Sequence, residues 1–68
     1  MMRIESLDAW NRLLPRLVAY GYDRYCTQHD VDDPEGYHAW FWSSGRPDLE
    51  IVTHNKDVKA AIMAFECR

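Results

Sequence analysis

The residues best able to bind a metal or move a proton near neutral pH are three histidines and two cysteines. Cys26 and His29 are two residues apart, a spacing that zinc sites use, and His38, His54 and Cys67 are further donors. A closed zinc site is usually built from two such tight pairs. Only one pair is present, and Cys67 lies next to the last residue. The expectation is therefore no metal and no cofactor. Each histidine has carboxylates nearby in sequence, among them Asp30, Glu35 and Asp57. Proximity in sequence does not make a general base; geometry does. There is no glycine-rich phosphate loop and no Gly-x-Ser-x-Gly elbow. No catalytic residue is expected, and His38 is the best candidate of the three histidines.

A second group of polar residues is the acidic run Asp30, Asp32, Asp33 and Glu35. Its carboxylates are hard oxygen donors, but an EF-hand loop needs ligands at fixed positions and a distal glutamate, which this run lacks. It reads as a solvated turn whose charge could engage a basic groove on a partner.

These groups need elements to hold them. A helix is expected from about Ser6 to Tyr20. Ser6 caps it, Asp8 suits its positive start, and Trp10, Leu13, Leu14, Leu17 and Val18 repeat as one buried face. Pro15 is expected to kink or split it, and Gly21 to end it. Tyr22–His29 reads as a strand, Asp30–Gly36 as a turn, Tyr37–Ser43 as the clearest strand, and Asp48–Thr53 as its hairpin partner. A last helix should run from about Asn55 to Glu66, with Val58, Ala61, Ile62 and Phe65 as its apolar stripe. The order α-β-β-β-α defines an α+β domain spanning residues 1–68. Its economical architecture is a three-stranded antiparallel sheet with both helices on one face. The other face would then meet solvent or a partner.

Tyr37, Trp40, Phe41 and Trp42 lie within six positions, and the hairpin register decides which of them are inside. Pro47 cannot donate the closing bond of a two-residue turn, which favours a four-residue loop over Ser44–Pro47. Trp42 then lies beside Leu49 and Trp40 beside Ile51, both facing the core. Tyr37, Phe41 and Val52, with Glu50, form the opposite, partner-facing surface. A five-residue loop instead pairs Phe41 with Leu49 and exposes the two tryptophans. In both registers at least two aromatic residues fall on the face without helices.

"GYH" (residues 36–38), the "GR" turn (residues 45–46) and "VTHNKDVK" (residues 52–59) resemble the Gly-x-His, hairpin turn and lysine-bearing helix start of HicA-type mRNA-cleaving toxins. The element order also resembles that of double-stranded-RNA-binding domains. That resemblance implies an RNA-directed toxin in which His38 is catalytic and Lys56 and Lys59 meet phosphate. The formal net charge of −3 argues the other way, because affinity for nucleic acid comes mostly from Lys and Arg on phosphates. Direct nucleic-acid binding is therefore not the expectation.

A chain of 68 residues buries only about 60% of its unfolded surface, leaving a thin core and little room for a deep cleft. No stretch approaches the roughly 20 apolar residues of a membrane span, and the start lacks a secretory leader. These features point to a cytoplasmic protein with reduced cysteines. The reading that fits best is a small non-enzymatic module that binds another protein and leaves homodimerisation open. Its contact residues would be Tyr37, Phe41, Val52 and Glu50, with Asp30, Asp32, Asp33 and Glu35. Inhibitors carried by phages and mobile elements, some directed at nucleic-acid-handling machines such as CRISPR effectors, are the context expected for such a domain.

Overall fold

The computed structural model describes residues 2–22, 24–29 and 35–65. Six elements follow in order: β1 (Met2–Arg3), α1 (Leu7–Ala19), β2 (Arg24–His29), β3 (Tyr37–Ser43), β4 (Arg46–Thr53) and α2 (Lys56–Ala64). The strands form one four-stranded sheet in the order β1-β4-β3-β2. The pairs β2–β3 and β3–β4 are antiparallel, as the sequence suggests. The sheet as a whole is mixed, because β1 adds to β4 in parallel, with Met2 opposite Ile51 and Arg3 opposite Val52. This corrects the expected three-stranded antiparallel sheet. Two residues are too few to show a strand period, so β1 leaves no pattern to read.

Helix α1 begins where its cap requires. Ser6 is extended, and its hydroxyl accepts from the Ala9 amide at 3.2 Å. The helix runs unbroken through Pro15, where a split was one expectation. Proline lacks the N–H that would reach the Asn11 carbonyl, and Pro15 lies on the exposed side of the helix, where water can serve that carbonyl. The end is set by Gly21, at φ +72°. The Gly21 amide donates to the Val18 carbonyl, and the Tyr22 amide to the Leu17 carbonyl. This is the paired closure for which a glycine in the left-handed region is suited. Val18, expected on the buried stripe, is exposed.

Helix α2 is capped by Asn55, whose side-chain oxygen accepts from the amides of Asp57 and Val58 at 2.8 and 3.1 Å. A second tie joins this corner to the start of the chain. Glu5 accepts from the His54 amide at 2.9 Å through its carboxylate, and from the Asn55 side-chain amide at 3.0 Å through its backbone carbonyl.

One buried cluster contains Ile4, Trp10 and Leu17 together with Tyr37, Ala39, Phe41, Ile51, Val58 and Ile62. Leu14 and Phe65, also expected inside, are partly buried against it. Three rings close its centre. Phe41 lies 6.3 Å from Trp10 and 5.5 Å from Phe65, and Trp10 meets Phe65 edge-on at 6.1 Å. These separations suit tilted and edge-to-face aromatic contacts.

The hairpin register departs from the favoured reading. The turn contains only Ser44 and Gly45, with Gly45 at φ +81° and Ser43 opposite Arg46. Beyond the turn, Phe41 pairs with Leu49, Ala39 with Ile51 and Tyr37 with Thr53. Between these stretches β4 carries one residue more than β3, so Pro47 and Asp48 together face Trp42 as a bulge. A bulge is a place where a strand tolerates a proline that cannot join the ladder. An unbroken ladder from the same tight turn would bring Trp40 opposite Leu49 and His38 opposite Ile51, and so carry the tryptophans to the core side. With the extra residue, every side chain on β3 changes face relative to β4.

Candidate functional site

Along β3 the buried residues are Tyr37, Ala39 and Phe41, and those between them face the other way. Phe41 is 0% exposed, Tyr37 4% and Val52 6%. The expected contact surface of Tyr37, Phe41 and Val52 is therefore corrected. Tyr37 and Phe41 belong to the core, and Val52 is buried on the second face, opposite His38. The surface side of β3 instead carries His38, Trp40 and Trp42. Trp40 is half-buried, and Trp42 is exposed at 36%.

The register builds a compact polar and aromatic group on that face. Trp40 is directly opposite Glu50 and His38 opposite Val52. Diagonal neighbours on a sheet face are within reach of long side chains. His38 Nδ1 accordingly lies 3.3 Å from Glu50 Oε1, with both side chains partly screened from water. The His38 and Trp40 rings lie 5.5 Å apart. Beyond Trp40, an open groove of about 480 Å³ is lined by Met2, Trp40, Asp48, Leu49 and Glu50. The bulge contributes Asp48 to this groove, and β1 contributes Met2.

A second hollow, of about 210 Å³, lies at the start of α2, with Glu35, His54, Lys56 and Lys59 around its mouth. The Lys59 ammonium sits 5.1 Å from the centre of the Tyr37 ring, within range of a cation–π contact. Tyr37 and His38 face opposite sides of β3, so His38 and Lys59 are on different faces of the sheet. The two parts of the toxin-like constellation are not brought together.

Of the remaining candidates, Glu50 lies at the centre of the surface group and Glu35 at the exposed mouth of the second hollow. Asp30, Asp32 and Asp33 lie outside the described residues, as does Cys67. Among the described residues, no three metal-ligating side chains converge, and no helix is long and apolar enough to cross a membrane. Trp40, Trp42, Asp48 and Met2 are the surface residues that sequence reasoning did not select. The alternative hairpin register was the signal for the tryptophans, and Pro47 the signal for the bulge that selects it. Comparison with protein-family models, with curated proteins and with solved structures found no match.

Proposed function

We propose that this protein is a small non-enzymatic binding module that engages another protein through the sheet face bearing His38, Trp40, Trp42 and Glu50. In this reading both helices cover the other face, and the tryptophan face is left for the partner. The observation that carries the proposal is Trp42, a large exposed ring next to the half-buried Trp40 on one strand. Tryptophan is the residue type most enriched among the few that dominate interface energy. A rigid ring also desolvates much area at small entropic cost. An inhibitor of a nucleic-acid-handling machine remains the context in which we place such a module.

The alternative, an RNA-cleaving toxin, draws support from His38, because a carboxylate at one ring nitrogen is how a histidine base is oriented. The separation of His38 from Lys59 by the sheet weighs against it.

A tagged copy should recover a partner from cells of the source, and the purified pair then permits a direct measurement. Trp42→Ala should weaken the complex at least about tenfold, or ~1.4 kcal/mol, with an unchanged melting temperature. Equal affinity for the parent, Trp42→Ala and Trp40→Leu would remove the sheet face from consideration. RNA cleavage by the parent that disappears in His38→Ala would establish the alternative.

A further inference from the structure

We propose that the groove between β1 and the β4 bulge is a seat for an arginine side chain of the partner, presented on a basic segment. The proposal rests on the sheet-face reading above and specifies the chemistry it recognises. The groove joins two kinds of wall. Trp40 offers an indole and Asp48 and Glu50 offer carboxylates, while Met2 and Leu49, paired with Ile51 and Phe41 of the core, close it at the sheet edge. A cation satisfies both kinds at once. Its charge meets the carboxylates and the electron-rich indole.

Arginine fits this site better than lysine. A guanidinium is planar, stacks on an aromatic ring and offers a fork of N–H donors to a carboxylate, whereas an ammonium is a strongly hydrated point charge. The acceptor is also held in place. Glu50 Oε1 faces His38 Nδ1 at 3.3 Å, and His38 is in turn packed against the Trp40 ring at 5.5 Å. The carboxylate is thereby positioned beside the ring it would share with the guanidinium. Asp48 owes its place to the bulge, so the irregularity that turns the tryptophans outward also sets a second carboxylate next to them. The formal charge of −3 favours approach of a basic segment.

The test uses the intact protein and three capped peptides that differ only in alternating side chains: arginine, lysine or the uncharged isostere citrulline. Binding is read from amide and indole chemical shifts during titration. The arginine peptide should shift the Trp40 indole and the Asp48–Glu50 amides saturably. The lysine peptide should bind more weakly, and the citrulline peptide at least about tenfold more weakly. The conservative double variant D48N/E50Q keeps the shape of the groove, and its affinity for the arginine peptide should fall by a similar factor. A folded D48N/E50Q protein that binds like the parent would overturn the proposal, as would equal binding of citrulline or no shift at millimolar arginine peptide. The sheet-face reading has its own readout. If Trp42→Ala loses the recovered partner while D48N/E50Q keeps it, the face is the contact surface and the arginine seat is wrong.

Discussion

Phe41 and Trp42 are neighbours in sequence with opposite environments. The first is fully buried between Trp10 and Phe65, and the second is exposed. Truncating a buried phenylalanine removes its transfer free energy and leaves a cavity, together roughly 3–5 kcal/mol. At about 0.05–0.15 kcal/mol per residue, a domain of 68 residues has roughly 3–10 kcal/mol in total, so the loss is a large part or all of it. Phe41→Ala should therefore abolish the cooperative thermal transition seen by near-ultraviolet circular dichroism. Trp42→Ala should melt within a few degrees of the parent. A cooperative Phe41→Ala melt near the parental temperature would mean that the hairpin register is wrong. At this scale the sequence identified the aromatic cluster but not its orientation. Alternation separates Tyr37, Ala39 and Phe41 from His38, Trp40 and Trp42 whatever the register, while the choice of buried set depends on a residue count across the turn.

That count is made by the β3–β4 hairpin. Hydrophobic periodicity made α1, β3 and α2 legible, because Trp10, Leu17, Val58 and Ile62 recur at helical spacing and the β3 run is too aromatic and too short for a surface helix. The capping residues Ser6 and Asn55 were legible for the same local reason. Where the structure departs from the sequence pattern, the cause is not local. Pro47 reads as a loop residue because it has no N–H, whereas the strand absorbs it as half of a bulge. Val18 continues the helical stripe in sequence, yet it is exposed because the buried part of α1 centres on Trp10 and Leu17. The bulge makes a specific prediction. Deleting Asp48 removes the extra residue and leaves Pro47 alone opposite Trp42, while Phe41 stays opposite Leu49 on the same turn. The deletion should therefore keep the buried face and a cooperative urea transition, unlike Phe41→Ala. Asp48→Ala, which keeps the residue count, should change stability by no more than about 0.5 kcal/mol, as expected for an exposed surface site. Urea midpoints of the two variants check both expectations. Loss of the cooperative transition on deletion would show that the bulge itself, and not the pairing beyond it, sustains the hairpin.

For the molecule as a whole, the accessible surface is 4775 Å², and a partner of standard interface size covers about 800 Å² on each side. That is about a sixth of the surface, an area that a single sheet face can supply on a body measuring 31 × 24 × 18 Å. The core beneath it is thin, so contacts at the sheet margin matter. Ile4 is 6% exposed, and its amide donates to the Val52 carbonyl at 3.0 Å. Removing residues 1–4 should cost roughly 2–3 kcal/mol from the lost isoleucine burial, read as a lower urea midpoint. It should also bare the outer edge of β4, and an uncovered strand edge promotes association. Sedimentation should then show concentration-dependent self-association that the parent lacks. A truncated protein with parental stability and no association would mean that β1 contributes nothing to the sheet.

The tie between Glu5 and the corner at His54 and Asn55 also bears on the order of events during synthesis. The two partners are 49 and 50 residues apart, and the strand that β1 joins is the last one made. At about 5–20 residues per second, several seconds pass on the ribosome in which the first segment has been produced but its neighbour has not. Throughout that interval Trp10 and Leu17 on the nascent helix have no sheet to cover them. The polypeptide therefore cannot settle progressively from its leading end. Its closure waits for residues 51–55 to emerge, and until then it presents to the cell the apolar surface that chaperones hold.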